Sequence, residues 1–510
     1  MNKYIKLAIA TVAGAALVTS CDLNLVPNSA INYEEDGVLI QNKANLASLE
    51  NGLLSSFRGC QNGDFVQATE YQFDAFNATI DYGNNFGALH KSDYNFTSSD
   101  YDVRDAWAYN YSSIKNCNIF IAAADNVDES LKADVAIVKG EAHFLRAWSY
   151  LQLARHFGKA YSSTASTDLC VPLVLVYSQT EQPARATVAE VYAQIKKDLD
   201  EAATLLAGVK GAVRSKKPTI DAVNALYARY FLDIADYANA AAYAHKVIDT
   251  KTYALASTAK EMEAEYVNDS GSEPIMQLAM SLTEYTEAYK DSGDIQTMND
   301  WTLCQADATY GKVFRSYFIP TQALVESYDE GDLRFAAWFD DKTAVMMAGS
   351  YYNVDKSDFY VFVKFWGNPA LTSSSIRNGR TTPKPFKISE MYLIAAEAEL
   401  NTDPAAAKKD LNALQAARGA VRTEATTATV QKEWFRETVG EGQRKFCLKR
   451  WGLGFSGRPM QPGAANVLQQ GDVFDGKVFE ANSYLFQYPV PAREMKVNKN
   501  LVQNPGYDTL

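Results

Sequence analysis

Two distant stretches of the chain, residues 225–248 and 392–415, share one pattern of small, apolar and acidic residues. The first reads ALYARYFLDIADYANAAAYAHKVI, and the second reads YLIAAEAELNTDPAAAKKDLNALQ. Aligned end to end, they match at Ala228 with Ala395, Asp236 with Asp403, Ala240 with Ala407, and Val247 with Leu414. Each stretch predicts two helices joined by a turn, and the small residues let paired helices approach closely.

These copies resemble tetratricopeptide units, which cannot bury their apolar faces alone and therefore stack on one another. Because the copies lie far apart in the sequence, any stacked array must be interrupted by a long insertion. We expect the helical-repeat parts at about 105–250 and 386–420. Ordinary antiparallel helix hairpins, without a superhelix, are the alternative interpretation.

Two segments before the first copy also have helical spacing. Thr187 and Glu190 predict a capping box at the start of a helix. The apolar residues that share one face of this helix are Val188, Val191, Tyr192, Ile195, Leu199, Ala202 and Leu206. Upstream, an apolar stripe ends at Gly158, a residue suited to a helix C-terminus. The stripe comprises Phe144, Leu145, Trp148 and Leu151.

Irregular sequence rich in aromatic residues occupies about 65–104 and 285–385. Loops longer than about 15 residues in a compact body are usually functional or disordered, and the aromatic content argues against disorder. One possible strand, FYVFVKFW, lies at 359–366. The chain is therefore predicted to be mostly α, with a tetratricopeptide-like helical-repeat scaffold, long irregular loops and little strand.

The N-terminus has the layout of a secretory signal. Lys3 and Lys6 precede an apolar run, 7–18, that is too short to span a bilayer. The run leads into Cys21 in a pattern that resembles a bacterial lipobox. We expect residues 1–20 to be removed and acylated Cys21 to anchor residues 21–510 as a single domain, because two or three acyl chains hold a protein firmly in a membrane. A plain signal peptide is the alternative.

The net charge argues against one class of partner, and the cysteine spacing argues against two kinds of structural site. The formal net charge of −12 would repel phosphate backbones and argues against nucleic acid as a partner. Apart from Cys21, five cysteines remain, with no C-x-x-C motif. Neither a zinc site of that type nor a regular disulfide framework is therefore predicted.

An ordered series of motifs runs from the lipobox to the C-terminus. It comprises WAYNYSSIKNCN, GEAHFLRAWSYLQLARHFG with a following VPL, RATVAEVYAQIKKDL, IPTQALVESYDEGDLR, KISEMYLIAAEAEL, VGEGQRKFCLKRWG and PVPAREMKVNKNLVQNPGY. Together these motifs resemble the RagB/SusD family of Bacteroidetes outer-membrane lipoproteins. The resemblance implies a SusD-like scaffold, lipid-anchored in the outer membrane and exposed at the cell surface. It also implies that the protein forms a lid over a SusC-like TonB-dependent transporter and captures glycan fragments for import.

Charged residues within the motifs predict structural ion pairs. The expected pairs are Glu141 with Arg146, Asp332 with Arg334, and Glu441 with both Arg444 and Arg450.

No motif indicates catalysis. GLGFSG, at 452–457, matches G-x-G-x-x-G, but no hydrophobic strand precedes it and no helical pattern follows. Glu433, Glu437 and Glu441 are spaced four apart on one helical face, which favours a solvated or arginine-paired face over two carboxyls spanning a cleft. The histidines form no H-E-x-x-H motif. We therefore expect a non-enzyme without a cofactor or convincing metal cluster, although a single calcium held by loop carboxylates stays open.

A sugar site needs aromatic rings for stacking and amide or carboxylate groups for the hydroxyls. The first loop region supplies the candidate ligand-binding residues Tyr71, Asp74, Tyr82, Asn84, Asn85, Asp93 and Tyr94. The second supplies Trp301 and Tyr310. For each ring, packing on the scaffold is an equal alternative. The leading hypothesis is glycan capture, and the same architecture capturing peptides is its rival. A glycoside hydrolase and a passive helical-repeat adaptor are less favoured.

Overall fold

A computed structural model describes residues 39–61, 68–80, 96–281, 305–306, 313–347, 349–371, 379–469 and 478–507. The helices are α1 (Lys43–Gly59), α2 (Ala68–Tyr71), α3 (Tyr101–Ala123), α4 (Lys132–Phe157), α5 (Val188–Leu205), α6 (Ile220–Asp233), α7 (Tyr237–Ile248), α8 (Ala259–Val267), α9 (Gln322–Val325), α10 (Leu333–Trp338), α11 (Ile388–Glu399), α12 (Pro404–Ala417), α13 (Thr427–Glu437), α14 (Arg444–Trp451) and α15 (Ala492–Val497). Strands of two or three residues and 3₁₀ helices of three residues form the remaining regular structure of the described residues. The predicted mostly α class is confirmed.

The two sequence copies form α6–α7 and α11–α12, and the second pair packs directly on the first through α11 and α7. Asp236 and Asp403 occupy the same place, since each accepts a hydrogen bond from a backbone N–H in the first turn of its helix. The matched small and apolar positions are fully buried: Ala228, Ala240, Val247, Ala395, Ala407 and Leu414. The copies therefore stack although a long insertion separates them in the chain.

The capping box before α5 is present. Thr187 Oγ1 accepts a hydrogen bond from the Glu190 N–H at 3.2 Å, and Glu190 Oε2 accepts one from the Thr187 N–H at 2.8 Å. All seven predicted apolar residues of this segment are buried. Both the start of the helix and its buried face are confirmed.

Helix α4 differs from the predicted amphipathic helix. It ends at Phe157 before Gly158, as expected, and its predicted stripe is buried. However, every residue from Glu141 to Phe157 except Gln152 is also buried. The reason is that α1, α3, α5 and α6 all pack around α4, so from Glu141 onward it is a central helix without a solvated face.

The ion pair predicted between Glu141 and Arg146 is wrong. Arg146 instead donates to both carboxylate oxygens of Asp198 on α5, at 2.5 and 3.0 Å. Glu141 lies beside Glu50 of α1, and burial together with that neighbouring carboxylate raises the pKa of Glu141 to about 9. Glu141 is therefore protonated at neutral pH.

The segment between the two helix pairs carries most of the strands. β1 (Phe76–Ala78) pairs with β5 (Phe318–Pro320), β2 (Pro274–Met276) with β10 (Phe386–Lys387), β6 (Phe339–Asp340) with β9 (Val361–Phe362), and β11 (Phe455–Ser456) with β12 (Val478–Phe479). A four-stranded sheet has the order β3 (Gln305–Ala306), β4 (Phe314–Arg315), β7 (Val345–Met347) and β8 (Ser350–Tyr352). Of the predicted strand at 359–366, only β9 forms. Among the helices described, none is both long and apolar enough to cross a bilayer.

Candidate functional site

The structure brings together the bases of the two predicted ligand-facing loop regions. β1 and β5 are antiparallel, with Asn77 opposite Ile319. Beyond the strands, Thr79 donates its backbone N–H to the Tyr317 carbonyl at 2.9 Å and its hydroxyl to the Ser316 carbonyl at 2.8 Å. The chain therefore enters the region after residue 80 and leaves the region before residue 313 at neighbouring points.

A third segment, which the sequence did not indicate, joins this junction. The Ile80 N–H donates to the Val467 carbonyl, and the Gln469 N–H donates to the Ala78 carbonyl, both at 2.9 Å. Residues 464–469 thus lie against β1 on the side away from β5. Their apolar side chains pack with Phe314 and Ile319 in one hydrophobic cluster. No local pattern could have revealed this contact, because its partners are almost 400 residues apart.

Most of the predicted ligand-binding residues lie outside the described residues. They are Tyr82, Asn84, Asn85, Asp93, Tyr94, Trp301 and Tyr310, and Cys21 is outside as well. Trp301 precedes β3 by four residues, and Tyr310 lies in the chain between β3 and β4. On β8 of the same sheet, Tyr351 is 41% exposed and adds an aromatic ring that the sequence analysis did not select. Three strand spacings separate β3 from β8, or roughly 14 Å.

Tyr71 is packed inside the protein. Its ring stacks on Phe318 with centroids 4.0 Å apart and an interplanar angle of 1°, and it meets the edge of Phe76 at 5.7 Å. Only 2% of Tyr71 is exposed. Packing therefore accounts for this ring, and its contact with a ligand stays a prediction.

Asp74 is paired with a cation. Its two carboxylate oxygens accept hydrogen bonds from Arg444 at 2.5 and 2.7 Å, and the Arg444 guanidinium lies 4.4 Å from the Phe435 ring centroid. The predicted pairing of Arg444 with Glu441 is therefore wrong. Nearby, burial raises the pKa of Glu70 to about 7, although the Arg444 N–H donates to its carboxylate. Ligand contact by Asp74 likewise remains a prediction.

Buried ion pairs connect the insertion to α12 and α13. Arg334, at the start of α10, donates to Asp332, Glu433 and Glu437 over 2.6–3.0 Å. Further hydrogen bonds join Glu433 to Arg436 and Glu437 to Arg418. The predicted Asp332–Arg334 pair is confirmed, and the α13 carboxylates form an arginine-paired face rather than a solvated one.

Glu441 lies beyond the end of α13 and pairs with two lysines. Lys364 and Lys387 each donate to its Oε1 at 2.6 Å. Burial disfavours the charge of Glu441, but the two ammonium groups prevail and lower its pKa to about 2. The predicted pairing of Glu441 with Arg450 is also wrong, because Arg450 donates to Glu397 at 2.8 and 3.0 Å.

Two of the three glycines in GLGFSG are required by the local backbone structure. Gly452 ends α14 in the left-handed conformation, with φ of 63°. At Gly454, a Cβ atom would lie 1.9 Å from the Phe479 carbonyl oxygen, so only glycine allows β11 to approach β12 this closely. The motif therefore follows a helix and enters a strand, opposite to the order of a dinucleotide-binding loop.

Two family models match almost the whole chain in succession. One, described as starch-binding and associating with the outer membrane, matches residues 25–232, and the SusD family model matches residues 272–507. The chain belongs to the SusD/RagB family. It thus belongs to a family of glycan-binding proteins associated with the outer membrane.

Individual SusD-type relatives agree with this assignment. "SusD-like protein P2" of Formosa agariphila is 25% identical over 81% of this chain and 83% of its own length. "Starch-binding protein SusD" of Bacteroides thetaiotaomicron is 25% identical over 79% of each chain. A putative sugar-binding protein from Bacteroides vulgatus superposes with a TM-score of 0.72 at 24% identity, covering 92% of this chain and all of that one. A laminarin-binding SusD-like protein superposes with a TM-score of 0.70 at 21% identity, covering the same shares. These superpositions show that the fold is the tetratricopeptide-like helical fold of SusD proteins.

Proposed function

We propose that the protein captures oligosaccharide or polysaccharide fragments at the cell surface and delivers them to a SusC-like TonB-dependent transporter, without cleaving them. The observation that supports this proposal is the β1–β5 junction, which brings one end of each aromatic loop region together. Relatives described as binding starch and laminarin support a glycan as the ligand.

The chemistry of the loop regions suits a sugar. Flat rings contact the apolar C–H face of a pyranose, while amide and carboxylate groups bond its hydroxyls. Backbone hydrogen bonds of Thr79, Ile80 and Gln469 hold the junction in place, so binding needs little reorganisation of the scaffold. Because the junction is rigid, the side chains of the loops determine which glycan binds.

Binding can be tested with residues 22–510, which lack the acylation site, against a panel of soluble polysaccharides by affinity electrophoresis and titration calorimetry. We expect Trp301→Ala or Tyr94→Ala to weaken binding by about tenfold or more. Tyr177→Ala removes an exposed ring outside the loop regions and serves as the matched control. Unchanged affinity in both loop variants would place the site elsewhere. Binding of peptides but not glycans would favour the rival ligand class, and release of new reducing ends would reveal an enzyme.

The proposed location rests on removal of residues 1–20 and acylation of Cys21. Palmitate labelling of the full-length protein in cells should give an outer-membrane product that external protease degrades. Cys21→Ser should abolish the label and release the protein from the membrane. Co-purification of a barrel transporter with the wild-type protein would test delivery, and its absence under mild detergent would contradict it.

A further inference from the structure

Three metal-ligating side chains from three helices converge where the two helix pairs stack. His245 lies on α7, Glu399 is the last residue of α11, and Asp410 lies on α12. His245 Nε2 is 2.9 Å from Glu399 Oε1 and 3.3 Å from Asp410 Oδ2. One candidate ligand atom from each side chain lies within 4.8 Å of the others.

The carboxylates of this cluster are incompletely satisfied. Asp410 is 3% exposed, yet its Oδ2 accepts no hydrogen bond from any residue in the described part of the chain. The same holds for Oε2 of Glu399. Within the described ranges, no lysine or arginine forms an ion pair with either carboxylate, so His245 is their shared partner.

The charges in the cluster do not balance. Two buried carboxylates face one imidazole, which supplies at most a single positive charge. Carboxylates this close together repel one another, and burial strengthens the repulsion. A divalent cation would remove the repulsion and bond the unpartnered oxygens.

We propose that His245, Glu399 and Asp410 bind a divalent first-row transition-metal ion, for which Zn²⁺ is the probe. Ligand atoms about 2.0–2.1 Å from a tetrahedral Zn²⁺ lie about 3.3 Å apart, close to the distances found here. One nitrogen and two oxygen ligands are an ordinary zinc set, whereas Ca²⁺ and Mg²⁺ prefer a shell of oxygens alone. His245 is 28% exposed, which gives the ion a path of entry and leaves room for a water ligand.

The site would act as a cross-link between the stacked repeats. His245 belongs to the first helix pair, and both carboxylates belong to the second. A bound ion therefore joins segments that only tertiary packing holds together. The sequence predicted no such cluster, because Glu399 follows His245 by 154 positions.

Calorimetric titration of the chelator-treated mature protein with Zn²⁺ at pH 7.5 tests the proposal. We expect one equivalent to bind with a Kd in the micromolar range or tighter, and the melting temperature to rise with Zn²⁺. His245→Gln and Asp410→Asn should each weaken binding by at least about 50-fold. Glu129→Gln changes an exposed carboxylate outside the cluster and should bind as the wild type does. Absence of stoichiometric binding, or equal binding by all variants, would overturn the proposal.

Two further readouts separate a metal site from a structural ion pair. Asp410→Asn should leave the melting temperature of the metal-free protein unchanged or higher, because it relieves repulsion, while abolishing the rise caused by Zn²⁺. If the variants do not fold, X-ray absorption of the wild-type zinc complex decides the matter. The proposal requires nitrogen and oxygen neighbours with a single imidazole, and a sulfur neighbour would refute it.

Discussion

Arg418 and Glu437 form a bidentate ion pair with hydrogen bonds of 2.6 and 3.0 Å, and neither side chain reaches solvent. Arg418 follows the last residue of α12, and Glu437 is the last residue of α13. The pair therefore fixes the relative positions of two helix ends. Glu437 also bonds Arg334, so it connects the insertion to the helical scaffold.

Removing the charge of Glu437 should be costly, because two buried guanidinium groups each lose one of their counter-charges. We expect Glu437→Gln to lower the free energy of unfolding by about 3–5 kcal/mol. Glu424→Gln, which breaks an exposed pair with Lys408, should cost less than about 1 kcal/mol. Urea denaturation of the purified variants measures both values. Equal costs would show that burial of the Glu437 pair is unimportant.

The Glu50–Glu141 contact predicts a pH dependence. The pKa of Glu141 is about 9 in the folded protein and near the ordinary value of 4.5 when unfolded, so the folded state binds more protons. Stability should therefore fall as pH rises between about 4.5 and 9. Glu141→Gln should remove this contribution. The variant should be more stable than the wild type at pH 8, whereas the two stabilities should differ much less at pH 4. Unfolding measured from pH 4 to 9 checks the slope, with the exposed Glu129→Gln as control. Parallel curves for Glu141→Gln and the wild type would contradict the raised pKa.

Because β11 approaches β12 closely at Gly454, a larger residue cannot replace this glycine without loss of stability. Gly454→Ala would press a methyl group against the backbone of Phe479, so β11 and β12 must separate. We expect a loss of about 1–3 kcal/mol. Gly52→Ala is the matched control, because no atom lies within 4 Å of its Cβ position in α1, and it should stabilise by about 0.5–1 kcal/mol. The two substitutions should thus shift the thermal transition in opposite directions. A rise for Gly454→Ala would refute the contact.

The small residues between stacked helices should resist enlargement. Ala240 of α7 is fully buried, whereas Ala242 on the same helix is exposed. We expect Ala240→Leu to destabilise by about 1–3 kcal/mol through overpacking, and Ala242→Leu to have little effect. Chemical denaturation measures the free energy of unfolding of both variants. Because both replace alanine by leucine in α7, the change in helix propensity is the same for each. Similar stabilities would mean that α7 tolerates a wider spacing.

The features that the sequence predicted correctly depend on residues close together in the chain. Thr187 and Glu190 are three positions apart, and Asp236 and Asp403 each cap the helix that follows directly. The two matching copies predicted two helix pairs correctly because the helices of each pair follow one another directly in the sequence. Such patterns are fixed by local geometry and remain visible without tertiary information.

The errors concern partners that only folding brings together. Arg146 was paired with a neighbour on its own helix, but Asp198 lies 52 residues away on α5. Arg444 was paired with Glu441, three positions before it, but its partner Asp74 lies 370 residues away. Spacing cannot distinguish an available carboxylate from one that already holds a distant cation.

The stacking of α11 on α7 has a consequence for the order of folding. During synthesis, α7 is complete by residue 248, but the helix that covers its apolar face begins only at residue 388. That face must stay uncovered while the entire intervening segment is made, and closing so long a loop is slow. The newly made chain therefore depends on protection from aggregation until its C-terminal quarter arrives.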